Sequence, residues 1–224
     1  MESKRKYVSK RKVDKKQDKR IAKLEKAFKA ETQYLGVVAT GVTLNTWSTG
    51  GGILNCTPIT QGAGNGQRIG DKINVRRVNI VAQITGNAVS LAGDGFMRYR
   101  AMLIWTKANQ QALPVAAELF ADATSDTTIF FSPLNKQYKW KYKVLYDKFV
   151  TLNMQAWNST AGTLMRVSKT LKISKKINKV TQFATATSAA FTDIEDGLLI
   201  FAVFSPDNTA TGGMNFGLQT EYTP

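Results

Sequence analysis

The sequence contains no histidine and only one cysteine, Cys56. Without histidine the chain has no Ser-His-Asp or Cys-His catalytic group, and it lacks the commonest general base of enzymes. One thiol cannot build a zinc site or an intramolecular disulfide bond. We therefore predict that the protein is not an enzyme, with no catalytic residues, metal ligands or cofactor, and that Cys56 is a small buried side chain.

Long apolar runs are also missing. The longest strongly apolar run, Leu198 to Phe204, is far shorter than the roughly 20 residues that cross a bilayer as a helix. The opening residues hold no apolar segment of the kind found in secretory signals. We expect a protein made in the cytosol without insertion into a membrane.

Acidic residues are few, and the basic residues that outnumber them are concentrated at one end. The chain has 31 lysines and arginines against 16 acids, a formal net charge of +15. The first 29 residues contain 13 of those basic groups and four acids, which gives this segment a net charge of +9. We therefore divide the chain into a basic arm, residues 1–33, and a body, residues 34–224.

A lysine- and arginine-rich tail matches the charge of a phosphate backbone. The predicted nucleic-acid-binding residues of the arm are Lys4, Arg5, Lys6, Lys10, Arg11, Lys12, Lys15, Lys16, Lys19, Arg20 and Lys23. The segment KRKYVSKRK, residues 4–12, also has the composition of a nuclear import signal. Both roles remain open for the arm.

The arm carries a narrow apolar stripe at helical spacing, formed by Ile21, Leu24, Phe28 and Leu35. Its other faces are crowded with like charges, and Lys12 repels Lys16 at the i, i+4 spacing. We therefore predict an arm that is largely disordered alone. It becomes helical from about residue 14 when phosphates screen it or when copies bundle their stripes.

The body has the period-two alternation and the β-branched residues of strands. Eight strands are predicted, at residues 34–48, 71–85, 96–107, 127–134, 139–152, 163–174, 198–205 and 214–223. One short helix is predicted after Pro114, in the long connection at residues 108–126. This connection and another at 175–197 are too long for hairpins. The body is therefore predicted to be all-β, an eight-stranded antiparallel single jelly roll, that is, a two-sheet sandwich.

Two strands place arginines in distinctive positions. The inward-facing parity changes between Val75 and Val78, which predicts a β-bulge that exposes both Arg76 and Arg77. In the next strand, residues 96–107, Arg98 and Arg100 are predicted to share a face with Met102.

A second basic region lies late in the body. No acid occurs between Lys148 and Thr192, whereas six basic residues do. Arg166, Lys169 and Lys172 are predicted to contact nucleic acid, together with Lys175, Lys176 and Lys179. Earlier, Lys139, Lys141 and Lys143 alternate with Trp140 and Tyr142, which on a strand predicts lysines on one face and aromatics in the core. An ordinary solvated strand face is the alternative for both segments.

Two other motifs have ordinary explanations. GAGNGQRIGDK, residues 62–72, is rich in glycine but fits no phosphate-binding loop pattern and is predicted to be a loop that enters a strand. Asp193, Glu195 and Asp196 form the only acidic cluster. They suit a solvated turn, and an intersubunit calcium ion is the alternative.

Several stretches resemble one protein family in the same order along the chain. They are KAFKAET, LNCTPITQGAGNGQRIGDKINVRRVNI, RYRAMLIWTKANQQALP with AELF, SPLNKQYKWKYKVLYDKFVTL and GLLIFAVFS, which together span residues 26–205. The most specific pair is QGxxxxQRIGDKI with KVLYDK. On these residues the body resembles the single jelly-roll capsid protein of small circular Rep-encoding single-stranded DNA viruses (circovirus-like), itself similar to the satellite tobacco necrosis virus coat protein.

The resemblance implies a capsid protein that self-assembles into a T=1 icosahedral shell of sixty copies, with the arm pointing inward onto the genome. The implied partners are other copies of the chain and single-stranded DNA, with RNA left open, and also a host import receptor and a cell-surface receptor. The implied locations are the virion, and the host nucleus and cytoplasm during assembly. The arm departs from many relatives in being rich in lysine rather than arginine.

Two alternatives belong to other functional classes. A nucleic-acid-binding module that does not assemble would need only the basic tail. A jelly-roll carbohydrate binder or hydrolase would need a constellation of carboxylates and histidine that this sequence lacks.

Overall fold

The computed structural model describes residues 32–50, 52–87, 96–107, 113–153, 166–184, 190–206 and 212–224, together with Lys15, Gln17, Lys19 and Arg20. The side chains of Asn87 and Arg166 are outside this description. The chain forms two compact units, Met1–Glu31 and Thr32–Pro224. The second unit contains all of the strands given below.

Nine strands form two antiparallel sheets. They are β1 (Gln33–Leu44), β2 (Ile53–Asn55), β3 (Lys72–Asn87), β4 (Phe96–Thr106), β5 (Tyr142–Asn153), β6 (Arg166–Phe183), β7 (Ile194–Asp196), β8 (Leu199–Phe204) and β9 (Gly212–Thr223). The larger sheet has the order β1-β9-β3-β6-β7, and the smaller one has the order β2-β8-β4-β5. Most consecutive strands lie in opposite sheets. The prediction of an all-β, two-sheet antiparallel body is confirmed, and the strand order is consistent with a jelly-roll sandwich.

The predicted count of eight strands is wrong. The sequence prediction missed β2 and β7, which have three residues each, because so short a segment has no readable alternation. The predicted connection at 175–197 is also shorter than expected, since β6 continues to Phe183.

The core lies between the two sheets. Alternate residues of β3, such as Ile80 and Ile84, are buried there together with Tyr99, Leu103 and Trp105 of β4. The register of β3 shifts between Val75 and Arg77 against both of its neighbours, so the predicted bulge is confirmed. Both arginines at the bulge, which were predicted to lie on exposed surface, are partly exposed.

The smaller sheet is buried on its second face as well. A second apolar cluster there includes Trp47, Phe120, Phe130 and Phe204, with Trp47 packed edge-to-face on Phe120 at 5.3 Å between ring centroids. Every residue of β8 is consequently buried. This two-sided burial explains why β8 reads as an unbroken apolar run, a pattern usual for strands that are covered on both faces.

The second cluster is covered by two short helices, α1 (Ala116–Leu119) and α2 (Asp126–Phe131), and by a 3-10 turn at Lys136–Tyr138. The helix predicted after Pro114 is present but short, and it begins at Ala116. No helix among the described residues is long and apolar enough to span a membrane.

The strand predicted at 127–134 is wrong, because this segment contains α2. Ser125 caps the helix: its hydroxyl accepts a bond from the Thr128 N–H at 3.2 Å, and the Thr128 hydroxyl accepts one from the Ser125 N–H at 2.9 Å. Such a reciprocal cap satisfies backbone donors that a helix end otherwise leaves unpaired. The cap and the burial of Ile129 and Phe130 override the β-propensity of the sequence TTIFF.

Arg100 connects α2 to the sheet. Its side chain is 3% exposed and makes two bonds to the Asp147 carboxylate, Nε to Oδ1 at 2.9 Å and Nη2 to Oδ2 at 2.7 Å. Its Nη1 donates to the carbonyls of Ile129, Phe130 and Ser132 at 3.3, 3.0 and 2.8 Å. This arginine is therefore a structural residue, and the sequence analysis did not predict its burial.

Candidate nucleic-acid interface

The arm contributes three described basic residues to a candidate nucleic-acid interface. Lys15, Lys19 and Arg20 are helical and exposed. The prediction that the arm is disordered alone and becomes helical on binding phosphates or other copies stays a prediction. The other predicted arm residues lie outside the described part of the chain: Lys4, Arg5, Lys6, Lys10, Arg11, Lys12, Lys16 and Lys23. So do Ile21, Leu24 and Phe28 of the predicted apolar stripe. Its last member, Leu35, is not helical, because it lies in β1 and packs against the core.

The most basic element of the body is β6. This strand of 18 residues contains one arginine, five lysines and no acid. All five lysines are exposed, and none of them takes part in an ion pair within the described residues. A strand with this composition holds positive charges that protein carboxylates do not neutralise, which is the property that polyanion binding requires.

The structure places the basic residues of β6 on both faces of the larger sheet. Lys172 pairs with Val81, and Lys176 pairs with Arg77, so these lysines share the outward face. Lys169 pairs with the buried residue Ile84 and lies on the opposite face. The predicted trio is therefore divided: Lys169 and Lys172 do not form one surface, and Arg166 lies opposite Asn87 at the strand end.

Lysines that share the core-side face remain exposed because β6 lies near the sheet edge. Beyond β6 the order contains only β7, which pairs with Gln182 and Phe183 at one end. Lys175 and Lys179 also pair with core residues of β3 and are exposed in the same way. Lysines at such an edge have a structural benefit too, since they discourage pairing with strands of other molecules.

The outward face of the larger sheet has a neutral polar centre beside this basic strand. Ser174 donates to Asn79 at 2.7 Å, and Asn79 donates to Gln219 at 3.4 Å. Glu221 is an acid on the same face, and Arg77 approaches it at 4.0 Å. The face therefore offers hydrogen-bonding groups beside the exposed cations Lys172 and Lys176, a combination suited to sugar and phosphate contacts without base specificity.

The second predicted set, residues 139–143, does not form an alternating strand. β5 begins at Tyr142, so Lys139, Trp140 and Lys141 lie in the preceding turn. Trp140 is 65% exposed rather than in the core, whereas Tyr142 is buried. Lys141 is paired with the Glu118 carboxylate of α1, which also accepts a hydrogen bond from Tyr142.

Lys141 and Tyr142 together keep the Glu118 carboxyl group ionised. Hydrogen bonds from Lys141 and Tyr142 hold the pKa of the Glu118 carboxyl below its ordinary value. Burial, with the neighbouring Glu118, raises the pKa of the Tyr142 hydroxyl. The carboxylate is therefore ionised at neutral pH and already has a cationic partner, which the alternation in the sequence did not reveal.

The remaining motifs have structural roles. The 62–72 segment is a loop that leads into β3. In the acidic cluster, Asp193 accepts a bond from the Ala190 N–H at 3.2 Å, and Glu195 accepts one from Gln182 at 2.6 Å. No group of three or more His, Cys, Asp or Glu side chains within the described residues has a metal-binding arrangement. Cys56 is buried, and burial raises the pKa of its thiol.

The chain was compared with protein families, curated proteins and solved structures. No protein-family model and no curated protein matches the chain. Among solved structures, the chain matches the crystal structure of the 60-mer BFDV capsid protein with 15% sequence identity, covering 86% of this chain and 92% of that chain. The TM-score of that match is 0.24, which is too low to support an argument.

Proposed function

We propose that this protein is a viral capsid subunit that self-assembles into a small icosahedral shell and packages a single-stranded nucleic acid genome by charge neutralisation. The observation that carries the proposal is that one chain combines a basic segment, residues 1–29 with a net charge of +9, with a two-sheet antiparallel sandwich that has its own basic strand. A shell subunit needs a rigid body to tile a surface and a cationic segment to hold the genome.

The proposed fold is a single jelly roll. The orders β1-β9-β3-β6 and β2-β8-β4-β5 have the interleaved connectivity of two Greek keys, and β7 is an addition at one edge. A jelly roll alone does not define a function, since the same fold serves lectins and cupins. The functional proposal therefore rests on the charge distribution and on the family motifs in the sequence.

Charge arithmetic sets the scale of packaging. If sixty copies assemble in a T=1 shell, their residues 1–29, at +9 each, supply about 540 positive charges, enough to neutralise a genome of several hundred nucleotides directly. A longer genome needs counterions or body lysines, and the five exposed lysines of β6 add to the supply. Such binding is independent of sequence and weakens as the salt concentration rises.

Exposed aromatic side chains supply surface for contacts between subunits. Phe131 and Phe149 stack with a centroid distance of 6.4 Å, and they are 55% and 54% exposed. Both also contact Phe130 edge-to-face, which anchors the pair to the second core cluster. In the proposed shell, burial of this pair against a neighbouring subunit contributes to assembly.

The test is negative-stain electron microscopy of the purified full chain, followed by extraction of nuclease-protected nucleic acid from the same fraction. We expect uniform closed particles that contain protected DNA or RNA. A monodisperse monomer whose nucleic acid is lost to nuclease or salt would reject the capsid function in favour of a non-assembling nucleic-acid-binding module.

Variants separate the contribution of β6 from nonspecific charge effects. Replacing Lys172 and Lys176 by glutamine removes two cations from one sheet face, and we expect less protected nucleic acid per particle. Arg98→Gln with Lys148→Gln is the matched control, since it removes two exposed cations from the smaller sheet. Equal packaging by the double variant and the control would exclude the outward face of the larger sheet from the interface.

A further inference from the structure

A cleft at the edge of the smaller sheet combines positive charge with aromatic rings. It has a volume of about 480 Å³, and its lining includes Lys107, Lys139, Lys143, Lys179, Tyr138 and Tyr142. We call it the lysine cleft. Its volume lies within the range of about 300–1,000 Å³ that is usual for small-molecule sites.

The four lysines of the cleft come from three parts of the chain, since Lys139 and Lys143 are only four residues apart. Lys107 follows β4, Lys139 lies in the turn before β5, Lys143 belongs to β5 and Lys179 belongs to β6. Segments distant in the sequence therefore bring like charges to one concave surface, where they repel one another. Such an arrangement is most favourable when an anion occupies the cleft.

Protein carboxylates do not neutralise these lysines. The one acid in the lining, Glu118, is already bound by Lys141 and Tyr142. None of the four cleft lysines forms an ion pair with another described residue. Lys107 donates to the Lys139 carbonyl, a contact that positions its ammonium group without cancelling its charge.

The backbone of β6 is irregular next to Lys179. Asn178 has a φ of 49°, the one positive φ of a non-glycine residue among the described residues. The pairing of β6 with β3 is interrupted between Lys176 and Lys179, opposite the bulge at Arg76. Bulges redirect neighbouring side chains, and here Lys179 lies in the wall of the cleft.

The rest of the lining suits a flat organic group. Leu119, Leu134 and Val144 add apolar surface beside the two tyrosine rings. β5 is the last strand of its sheet, and edge strands present backbone donors and acceptors. An inorganic anion would use only the lysines, whereas a nucleotide uses both parts of the cleft, its phosphate on the ammonium groups and its base on the apolar and aromatic wall.

We propose that the lysine cleft is a nucleotide-binding site that recognises a phosphate group together with an attached base. The nucleotide has two sources, a free mononucleotide or one nucleotide of a bound strand. The cleft uses no residue of the arm or of the outward sheet face, and it shares only Lys179 with the β6 lysines counted in the proposed packaging. The site can therefore exist whether or not the protein forms a shell.

The test is lysine acetylation footprinting of the full chain by mass spectrometry, with deoxyadenosine monophosphate, deoxyadenosine and inorganic phosphate as separate probes. We expect the monophosphate to protect the four cleft lysines and to leave Lys172 and Lys176 unchanged. Deoxyadenosine should give no protection, and inorganic phosphate should give weaker protection than the monophosphate. The proposal is overturned if all exposed lysines are protected equally, or if the cleft lysines show no protection at about 10 mM nucleotide.

Variants then tie the binding to the cleft. Lys143→Gln with Lys179→Gln should weaken monophosphate binding about tenfold or more, since each removes a charge-assisted contact. Lys172→Gln with Lys176→Gln removes the same charge elsewhere, and it should change the affinity less than about twofold. If the two double variants weaken binding equally, the loss of affinity follows from net charge alone, and the proposed site is overturned.

An oligothymidylate distinguishes the two sources. Protection of the cleft by both the oligonucleotide and the mononucleotide supports a site that also engages a bound strand. Protection by the mononucleotide alone supports a site for free nucleotides. Protection by the oligonucleotide alone overturns the nucleotide site, because the cleft then recognises only a polymeric phosphate backbone.

Discussion

Replacement of Arg100 by methionine should destabilise the body strongly, because one buried guanidinium holds together parts that are distant in sequence. Methionine keeps an unbranched apolar stem but removes both bonds to Asp147 and the three bonds to the carbonyls of Ile129, Phe130 and Ser132. The guanidinium also lies over the Phe120 and Phe149 rings, at 5.1 and 5.2 Å from their centroids.

The size of the destabilisation follows from the polar groups that lose their partner when Arg100 is replaced. Removal of one member of a buried ion pair costs about 3–5 kcal/mol. Asp147 is 26% exposed and regains some water, which lowers this cost, whereas the carbonyls that Arg100 satisfies are left short of donors, which raises it. We therefore expect a loss of about 3–5 kcal/mol in the free energy of unfolding. With a urea m-value of about 3 kcal/mol/M, the unfolding midpoint should fall by about 1–2 M.

The assay is urea unfolding of the full chain, followed by tryptophan fluorescence and far-ultraviolet circular dichroism. Trp47 is a suitable reporter because it packs on Phe120 and Phe204 in the cluster beneath α2. Two protein concentrations are needed, since self-association would make the midpoint depend on concentration. Coincident transitions in the two signals would justify a two-state analysis.

Arg98→Met is the matched control on the same strand. Arg98 is exposed, so its replacement should change stability by less than about 0.5 kcal/mol. Arg100→Lys retains the charge but not the planar set of donors, and it should retain only part of the stability. A loss for Arg100→Met below about 1 kcal/mol, or one equal to that of Arg98→Met, would refute the structural role assigned to this arginine.

Four further predictions concern other parts of the chain. Deletion of residues 1–31 should abolish retention of nucleic acid in filter-binding assays while the circular dichroism of the β-sheet body persists; retained binding would move the main interface into the body. Gly197→Ala should lower the thermal midpoint strongly, since Gly197 has a φ of 73° and an added Cβ would meet the Val180 carbonyl oxygen. Gly70→Ala, with nothing within 4 Å of the added Cβ, should change the midpoint little. Cys56 should react with a thiol reagent at pH 8 only as fast as the protein unfolds, because the thiol is buried and its pKa is raised; rapid labelling of native protein would contradict that burial. Finally, the folded-state pKa of Glu118 is lowered, so its contribution to stability is present above its ordinary pKa and is lost as the pH falls through the lowered value. Glu118→Gln should therefore be less stable than the parent chain in neutral urea titrations and should approach it in strongly acidic ones, and a difference that is the same at both pH values would contradict this linkage.

Much of the body could be predicted from the sequence, because long strands leave a clear period-two pattern. β1, β3, β4, β5, β6, β8 and β9 all overlap predicted strands, although their ends differ by several residues. The bulge in β3 was readable for the same reason: an extra residue reverses the order of buried and exposed positions, and Val75 and Val78 are both buried. Charge was equally readable, since the absence of acids from β6 needs no coordinates.

Local propensity was misleading where tertiary contacts decide the structure. Residues 127–134 have strand-forming side chains, yet the Ser125 cap and the Arg100 contacts stabilise α2 there. Trp140 alternates with lysines in the sequence but is exposed, because the strand begins after it at Tyr142. Neither the pairing partner of Lys141 nor the position of a turn is encoded in such an alternation.

By itself the sequence determined the excess of positive charge, its concentration in the arm and in β6, the lack of histidine, and the strand periodicity of the body. Tertiary structure alone decided which cations lie close together in space. Alternation along the strand already separates Lys169 from Lys172, but only pairing with β3 decides that Lys169 shares the core-side face, and only folding brings Lys107, Lys139, Lys143 and Lys179 into one cleft. The physical reason is that alternation within a strand fixes relative side-chain direction, whereas sheet order and packing determine what lies beyond each face.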